Sequence, residues 1–467
     1  MSDGLPKKDK LFGTDGIRGT PGVYPLSDGM IFKIGTGVAK LVAYQRKNGH
    51  KPKVIIGRDT RTTGERMEGI LANAITYQNI DVLSAGIITT PGLSYLVRKL
   101  GADMGIVISA SHNRPKDNGI KFFNRKGHKL STEEEEWIED IIYNNLLQGP
   151  QGNVVPNQGK MIQLDQVFVE YIHFLLSTAE GYDLAGYKAV VDCAWGAACP
   201  FAHKLFDDLG VEADTIHDEP NGEHINTGGS LNPEILQQRV KEQRADIGIA
   251  FDGDGDRAVF VDETGELLQG DDILAILALW MVKKGKLAGN AVAVSCMTNL
   301  GVTQLLEKKG AQVITTPVGD KYVLAEMLKR KLNLGGEPSG HILFLDYLPT
   351  SDGMLTALQV LKVMSETGAK LSQLKKCFIR VPQVLVNVEV RERKPFTEME
   401  VLQEKIAYFE RQLEGEGRIF LRYSGTEKVA RVMVEGNDKV ITAAIAESLA
   451  NEIKKEVGVE FSARDEK

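Results

Sequence analysis

Apolar residues follow two periods along this chain, and the two periods alternate. The stretch KVIIGRDTR (53–61) opens with a compact apolar run, typical of a buried strand, and residues 63–78 then repeat apolar positions every three or four residues. A second strand-like run, IDVLSAGIITT, follows. Strands that alternate with amphipathic helices predict α/β layers.

The same order of strand, small-residue turn, helix and strand returns twice more, in residues 187–216 and 291–320. Periods of roughly a hundred residues are too long for a solenoid. They indicate successive domains of similar fold.

The second half of each repeat contains a polar loop. ADMGIVISASHN (102–113) aligns with ADIGIAFDGDGD (245–256) without a gap, so that Ser111 stands opposite Asp254, and LNLGGEPSGHILF (332–344) is a looser third copy. Each copy has an apolar strand, a loop of small and polar residues, and a second apolar strand. Because loops on a rigid scaffold commonly carry chemistry, we expect the three loops to converge on one cleft.

The C-terminal part of the chain has a different order. From about Phe378 the pattern predicts strands at QVLVNVEV, RIFLRYS and ARVMVEG, with helices at 398–413 and 441–457. The predicted fold class is therefore α/β: three similar α/β/α domains with mixed sheets plus a smaller C-terminal α+β domain around a central cleft. We expect these domains to cover residues 1–158, 159–261, 262–374 and 375–467.

Composition excludes several classes of protein. The 467 residues exceed what one hydrophobic core organises, and 42% hydrophobic with 25% charged residues is typical of a soluble globular protein. A net charge of −7 without a long basic run gives no footprint for nucleic acid. No apolar run approaches the ~20 residues of a membrane span, and MSDGLPKKDK lacks a secretory signal. The four cysteines have no CxxC spacing, which favours free buried thiols in a cytoplasmic protein.

Three aspartates alternate with glycines in FDGDGDRAVFVD, at Asp252, Asp254 and Asp256. Alternate spacing places the carboxylates on one side of the loop, and hard oxygen ligands suit Mg²⁺ or Ca²⁺. Arg257 stands where an EF-hand has its turn glycine, so an EF-hand is disfavoured. A solvated Asp-Gly hairpin is the alternative, but three like charges this close repel one another without a cation. We therefore expect a divalent metal site.

The loop GGEPSGHI (335–342) brings Glu337, Ser339 and His341 together. A carboxylate beside a hydroxyl can bind the vicinal hydroxyls of a sugar. A plain turn with a hydrogen-bonded histidine is the alternative.

The stretch RYSGTEKVAR (422–431) sets two arginines around a Ser-Gly-Thr turn, which is typical of a phosphate cradle. An exposed basic hairpin explains it equally well. FGTDGIRG (12–19), which ends near Arg18, and GRDTR (57–61), with Arg58 and Arg61, are either further anion sites or ordinary turns, and their composition does not separate the two.

Four regions in order, SASHN with DNGIK, DGDGDR, GEPSGH and RYSGTE…R, fall on the four successive domains. In these regions the chain resembles the α-D-phosphohexomutase superfamily over essentially its whole length. FGTDGIRG, VGDKYV (318–323) and RVMVEG (431–436) are similar to its bacterial phosphoglucosamine mutase subfamily. The resemblance implies that a phosphoryl group moves between O6 and O1 of one hexosamine, through a phosphoserine enzyme and a 1,6-bisphosphate, which supplies UDP-N-acetylglucosamine synthesis.

The resemblance also implies residue roles. Ser111 would carry the phosphoryl group, whereas Ser109 would be structural. The implied metal ligands are Ser111, Asp252, Asp254 and Asp256. The implied catalytic residues are Ser111, Lys121 as general acid or base, His112 and Arg18. The implied sugar-binding residues are Glu337, Ser339 and His341. The implied phosphate-binding residues are Arg422, Ser424, Gly425, Thr426, Arg431 and Arg257.

The implied cofactors are Mg²⁺, a catalytic phosphoserine at Ser111, and a hexosamine or glucose 1,6-bisphosphate as primer. The implied partner is a small phosphosugar, with no nucleic acid and no membrane, for a protein that is a monomer or a homodimer.

Three departures from the subfamily bear on the sugar. The proline after Ser-His-Asn comes one place later, Pro338 stands where the subfamily usually has Gln, and PNGEHINTGGS (220–230) is one residue short and lacks a cysteine. A phosphomannomutase or phosphoglucomutase is the alternative within the superfamily. A metal-dependent phosphohydrolase and a non-catalytic phosphosugar sensor are the rival classes, and the intact Ser111, Lys121 and aspartates disfavour the sensor.

Overall fold

The computed structural model describes residues 10–13, 15–45, 51–144, 159–413, 415–424 and 428–459. The chain forms two compact units. The first comprises Met1–Met297 and Leu306–Cys377, and the second comprises Thr298–Leu305 and Phe378–Lys467.

The first sheet of the first unit is mixed and has six strands. Its strands and the helices around it are β1 (Ile17–Gly19), α1 (Asp28–Gln45), β2 (Lys53–Arg58), α2 (Gly64–Thr76), β3 (Asp81–Ile87), α3 (Thr90–Lys99), β4 (Met104–Ile108), β5 (Asn118–Asn124), α4 (Thr132–Tyr143) and β6 (Met161–Gln163). The strand order is β1-β5-β4-β2-β3-β6. β5 runs antiparallel to both of its neighbours, whereas the β4-β2-β3-β6 pairs are parallel.

The second sheet repeats this plan with five strands. Its elements are α5 (Val167–Thr178), β7 (Lys188–Asp192), α6 (Cys199–Asp208), β8 (Glu212–Ile216), α7 (Glu234–Gln243), β9 (Ile247–Phe251), β10 (Ala258–Asp262) and β11 (Leu267–Leu268). The order is β11-β10-β9-β7-β8, with β9 parallel to β7 and antiparallel to β10.

The third sheet has four strands. Its elements are α8 (Gly270–Lys283), β12 (Ala291–Ser295), α9 (Leu300–Lys308), β13 (Gln312–Thr316), α10 (Asp320–Arg330), β14 (Leu334–Gly336), β15 (Ile342–Phe344), α11 (Gly353–Thr367) and α12 (Leu371–Leu374). The order is β13-β12-β14-β15, and only the β14-β15 pair is antiparallel.

The second unit contains an antiparallel sheet. Its strands and flanking helices are β16 (Gln383–Glu389), α13 (Glu400–Gln412), β17 (Arg418–Tyr423), β18 (Val429–Glu435) and α14 (Lys439–Val457). The strand order is β16-β18-β17. This is the smaller antiparallel α+β unit that the sequence predicts.

One hairpin recurs in the first three sheets and confirms the predicted repeat. β4, β9 and β14 are buried at every residue, as expected of strands covered on both faces. Each passes through a polar loop into an antiparallel neighbour, and the pairs that close the loops are Ile108↔Ile120, Phe251↔Ala258 and Gly336↔Ile342. The three loops therefore stand at the carboxyl ends of central strands, where open α/β sheets bind ligands.

Two further expectations concern the cysteines and membrane-spanning helices. Cys193, Cys199 and Cys296 are buried and Cys377 is half-buried, and none of the four forms a disulfide. Within the ranges that the structure describes, no helix combines the length and the apolar character needed to span a bilayer.

Candidate active site

The two serines after β4 have different surroundings. Ser111 is buried, with a backbone φ of 50°, and its hydroxyl donates to Oδ2 of Asp252 at 2.7 Å. The Ser109 hydroxyl instead donates to Oδ2 of Asp59 at 2.6 Å and accepts the Ser111 backbone N–H at 2.8 Å. Ser111 thus faces the aspartate loop, whereas Ser109 supports the strand end.

The three aspartates of the second loop lie close together. Asp252, Asp254 and Asp256 are buried and each offers a carboxylate oxygen within 4.8 Å of the others. Burial, together with the charges of Asp256 and Asp254, raises the pKa of Asp252 to about 7. Burial also opposes ionisation of Asp256, but Lys121 and His341 hold its pKa well below the usual range.

This cluster fits a divalent cation. Oδ1 of Asp254 is buried and has no hydrogen-bond partner among the residues that the structure describes. A buried carboxylate oxygen without a partner is costly, and three convergent carboxylates provide the hard oxygen ligands that Mg²⁺ prefers. The Ser111 hydroxyl borders the same cluster through Asp252.

Lys121 on β5 balances part of this negative charge. Its ammonium lies 2.7 Å from Oδ2 of Asp254, 2.9 Å from Oδ2 of Asp256 and 3.1 Å from Oδ2 of Asp15. Burial opposes its charge, but Asp15, Asp254 and Asp256 together raise the pKa of Lys121 well above its ordinary value. Lys121 is therefore a buried, charged ammonium beside the aspartates.

Two other candidate catalytic residues border the serine loop. Arg18 on β1 donates to Oδ2 of Asp15 at 2.8 Å and to Oδ1 of Asn113 at 3.1 Å. His112 Nδ1 lies 3.2 Å from the Ser111 hydroxyl. Burial, followed by the charges of Arg257 and Arg18, lowers the pKa of His112 to about 3, so its imidazole is neutral.

The third loop meets the second through His341. Its Nδ1 lies 3.0 Å from the Ser339 hydroxyl and 3.4 Å from Oε2 of Glu337, and its Nε2 lies 3.2 Å from Oδ1 of Asp256. Although burial and Arg257 oppose protonation, Asp256 and Glu337 raise the pKa of His341 to about 9. The imidazole of His341 thus links the predicted sugar loop to the aspartates.

Glu337 and Arg257 complete this part of the site. Oε1 of Glu337 accepts a hydrogen bond from the Gly319 N–H at 2.9 Å. Burial opposes the charge of Glu337, but His341 lowers its pKa below the ordinary value. The Arg257 guanidinium Nε lies 3.8 Å from Oδ2 of Asp252 and 3.9 Å from Oδ1 of Asp256. The structure therefore brings the serine, aspartate and Glu-Ser-His loops of the first unit together.

The predicted phosphate cradle lies in the second unit. Arg422 on β17 and Arg431 on β18 are direct partners across the two strands, so their side chains leave the same face of the sheet. Ser424 is buried and its N–H donates to the Val429 carbonyl at 2.8 Å. Gly425 and Thr426 lie outside the described residues.

Several residues that the sequence left undecided or unnamed support these loops. Asp15 of FGTDGIRG pairs with Lys121, and Arg61 of GRDTR is buried against the serine loop. Thr90, at the start of α3, donates its hydroxyl to Oδ2 of Asp254 and its backbone N–H to the Asp254 carbonyl. Thr90 carried no sequence signal, because a Thr-Thr-Pro after a strand is also a common helix start.

Four models of phosphoglucomutase/phosphomannomutase domains match the chain in order. Alpha/beta/alpha domain I matches residues 9–148, domain II 168–265, domain III 269–381 and the C-terminal domain 385–452. The phosphoglucosamine mutase of Geobacter metallireducens is 45% identical over 96% of this chain and 99% of its own length. That of Thermoanaerobacter sp. is 44% identical over 96% and 99%.

Solved structures show the same fold. A phosphoglucomutase/phosphomannomutase family protein from Burkholderia thailandensis superposes with a TM-score of 0.79 at 22% identity, over 96% of this chain and 99% of that one. The N-acetylphosphoglucosamine mutase of Aspergillus fumigatus, in complex with GlcNAc-6P and magnesium, superposes with a TM-score of 0.64 at 17% identity, over 95% of each chain. The chain belongs to the phosphoglucomutase/phosphomannomutase family, and within it to the proteins named phosphoglucosamine mutase.

Proposed function

We propose that this protein interconverts glucosamine 6-phosphate and glucosamine 1-phosphate, with Ser111 as the phosphoryl carrier and a 1,6-bisphosphate as the intermediate. The observation that carries the proposal is the contact of the Ser111 hydroxyl with Asp252, at 2.7 Å, in a cluster of three buried aspartates. The names of the relatives at 42–45% identity support the choice of reaction and of sugar.

We propose that Asp252, Asp254, Asp256 and Ser111 hold one Mg²⁺. The unpartnered Oδ1 of Asp254 supports this assignment. When bound, the cation neutralises charge on the phosphoryl group that is transferred.

The remaining chemistry falls to side chains of this chain. The bond between phosphorus and Ser111 Oγ breaks as a substrate hydroxyl oxygen bonds to the same phosphorus. Lys121, whose ammonium lies beside Asp254 and Asp256, gives a proton to the departing Ser111 Oγ and takes the proton that the attacking hydroxyl releases. Arg18, His112 and Arg257 orient the group, since each lies within reach of the serine or aspartate loop.

The substrate needs two more kinds of contact. Glu337, Ser339 and His341 would bind the sugar hydroxyls. The phosphate that is not reacting would be bound by Arg422, Ser424, Gly425, Thr426 and Arg431. The bisphosphate then returns its other phosphate to Ser111, and a hexosamine or glucose 1,6-bisphosphate primes the first turnover.

We propose a cytoplasmic monomer or homodimer with domains at 1–158, 159–261, 262–374 and 375–467, each supplying one of the four loops. The three similar sheets and the antiparallel C-terminal sheet support a division into four domains. The first two sheets extend past residues 158 and 261, because β6 (Met161–Gln163) pairs with β3 and β11 (Leu267–Leu268) pairs with β10.

A coupled assay tests the proposal. The purified protein, primed with glucose 1,6-bisphosphate, is given the 6-phosphates and 1-phosphates of glucosamine, glucose and mannose, and inorganic phosphate is measured in parallel. We expect the glucosamine pair to have the highest kcat/KM, with almost no release of phosphate. A higher kcat/KM for mannose or glucose phosphates would show that the protein is a phosphomannomutase or a phosphoglucomutase instead.

Two other outcomes would reject the mutase itself. Steady release of phosphate would identify a phosphohydrolase. Binding of sugar phosphates without any turnover would identify a sensor.

The preference for an amino sugar has its own test at Glu337. A carboxylate can meet a C2 ammonium, and a hydrogen bond to a charged group contributes about 1.5–3 kcal/mol. Glu337→Gln should reduce the preference for glucosamine over glucose phosphate by that amount, measured as the ratio of kcat/KM. Glu68→Gln is the matched control, because Glu68 is also buried but bonds Ser84 and Arg58 instead.

A further inference from the structure

The backbone of Ser111 is in a costly conformation. Its φ of 50° lies in the left-handed region, which non-glycine residues seldom occupy. Such a conformation costs on the order of 1–3 kcal/mol and persists only where the surroundings fix it. Since φ determines the direction of the Ser111 side chain, whatever fixes φ also aims the hydroxyl.

Two side chains bind the backbone carbonyls on either side of His112. Nη2 of Arg61 donates to the Ser111 carbonyl at 2.8 Å and to the Asn113 carbonyl at 2.9 Å. Nδ2 of Asn226 donates to the same two carbonyls, at 2.8 and 3.0 Å. Each carbonyl therefore accepts two hydrogen bonds, which uses both of its lone pairs.

Arg61 is fully engaged in this loop. Nη1 donates to the carbonyls of Arg114 and Asp117 at 2.5 and 2.8 Å, and Nε donates to Oδ2 of Asp59 at 3.0 Å. With the two bonds of Nη2, all five guanidinium N–H groups are used. Lysine has three donors on one nitrogen and cannot reproduce this planar set.

Asn226 reaches the serine loop from the second sheet's loops. Its backbone φ is 65°. The backbone N–H of Asn226 donates to the Ala194 carbonyl, and the backbone carbonyl of Asn226 accepts a hydrogen bond from the Asn232 side chain. A side chain on Gly253 would come within 2.8 Å of the Ser111 carbonyl and 2.9 Å of Asn226 Nδ2. The amide of Asn226 is thus packed between the serine loop and the aspartate loop.

We propose that Arg61 and Asn226 are positioning residues for phosphoryl transfer: they bind the carbonyls of Ser111 and Asn113, hold Ser111 at its positive φ, and so aim its hydroxyl at the aspartates. The inference rests on the proposed function of Ser111 as carrier. It gives a role to GRDTR and to PNGEHINTGGS, two motifs that the chemistry of the site does not otherwise use.

Asn226→Asp is the sharper of two test variants. It keeps the shape of the side chain but turns the donor nitrogen into an oxygen that faces two carbonyl oxygens. A misplacement of about 1 Å in a reacting group can cost 10²-fold in rate. We expect Asn226→Asp to lower kcat, and the rate at which glucose 1,6-bisphosphate phosphorylates Ser111 (followed by intact mass), by about 100-fold.

If Arg61 and Asn226 only stabilised the fold, their variants would not show a large fall in kcat together with a nearly unchanged KM. KM for glucosamine phosphate should change much less than kcat, because the side-chain N–H groups of Arg61 and Asn226 donate to residues outside the sugar loop. Arg61→Lys should show the same split between kcat and KM. Matched controls are Asn290→Asp, whose amide binds the distant Gly310 carbonyl, and Arg58→Lys, whose Nε binds Glu68 on α2; both should retain wild-type kcat.

The outcomes separate this inference from the proposed function. Wild-type kcat and phosphorylation rate in a folded Asn226→Asp variant would overturn the positioning role and leave the mutase intact. A wild-type protein that never gains a phosphoryl group on Ser111 would overturn the proposed function, and the positioning role with it. If Arg61→Lys does not fold, Asn226→Asp alone decides.

Discussion

At the scale of single residues, the site depends on which way two serines point. Ser109 and Ser111 are two positions apart, yet one hydroxyl bonds Asp59 and the other bonds Asp252. An extended strand would place both on the same face. The positive φ of Ser111 breaks that alternation and turns its hydroxyl toward the aspartate loop.

Ser111→Ala should therefore lose mutase activity by several orders of magnitude, as nucleophile removal does elsewhere. Intact mass should show a fraction of the wild type that is heavier by one phosphoryl group, and this fraction should vanish in the variant. Ser109→Ala is the control: it retains the carrier and should still be phosphorylated. Turnover by Ser111→Ala near the wild-type rate would contradict the assignment.

At the scale of elements, one lysine ties the loop after β5 to the start of α10. Lys129 Nζ lies 2.6 Å from Oδ1 of Asp15 and 2.7 and 2.8 Å from the two carboxylate oxygens of Asp320. The residue before Asp320, Gly319, donates its N–H to Glu337. Burial opposes the charge of Lys129, but Asp15 and Asp320 raise its pKa beyond the ordinary lysine value.

Lys129→Met should destabilise the protein by about 3 kcal/mol, because it leaves the largely buried carboxylate of Asp320 without its cation and removes one of the cations around Asp15. It should also raise KM for the sugar phosphate, since the loop that holds Glu337 loses its anchor. Thermal unfolding and steady-state kinetics measure the two effects. Lys51→Met removes the exposed pair with Asp81 and should cost less than about 1 kcal/mol; equal losses in both variants would refute the anchor.

The N-terminus of α11 provides a test by pH. Asp352 caps this helix through the Leu355 N–H and accepts the Tyr171 hydroxyl at 2.8 Å. Burial raises the pKa of Asp352 to about 6, against the opposing effect of these hydrogen bonds. The folded protein therefore binds this proton more tightly than the unfolded chain, in which the carboxyl has its ordinary pKa of 3.8.

Because the pKa of Asp352 is raised in the folded state, the free energy of unfolding falls as pH rises from about 4 to above 6. Asp352→Asn removes that cost, so its free energy of unfolding, relative to wild type, should rise by roughly 3 kcal/mol across this window. Denaturant unfolding at a series of pH values measures the difference. Asp438→Asn, at the exposed N-cap of α14, controls for the change of cap itself. A difference independent of pH would disprove the assignment.

At the scale of the whole molecule, three repeats of one hairpin place three different loops side by side in the first unit. His341 of the third loop contacts Asp256 of the second, and Ser111 of the first contacts Asp252. The aspartate loop lies between the others, so a cation there would influence all three.

Removal of divalent ions should therefore stop turnover, and Mg²⁺ should restore it. Mg²⁺ should also raise the thermal midpoint, because a ligand that binds only the folded state stabilises it. Asp254→Asn should lose this shift. Ca²⁺ should bind but support little catalysis, since its coordination is larger and looser. Full activity after rigorous chelation would rule out the metal site.

The sequence by itself determined the features that repeat or lie close together along the chain. The alternation of strand and helix predicted the order of elements, because it follows from local backbone periods. The three aspartates predicted their own cluster because they lie together in one short turn between β9 and β10. The helix predicted at 398–413 extends over Glu400–Gln412, and that at 441–457 begins two residues earlier. Such ends depend on capping contacts rather than on period.

Only the tertiary structure decided which polar residues support the site. Arg61 and Asn226 meet on the same two carbonyls although more than a hundred residues separate Asn226 from the serine loop, and Lys129 meets Asp320 across a similarly long stretch of sequence. No period marks such a pair, since the residues around each partner carry no signal of the other until the fold brings the two together. Partners distant in sequence also fix two of the charges: Lys121 and His341 lower the pKa of Asp256 against the effect of its burial. In the same way, Asp15, Asp254 and Asp256 raise the pKa of Lys121, and the linear order of residues reveals none of these pairs.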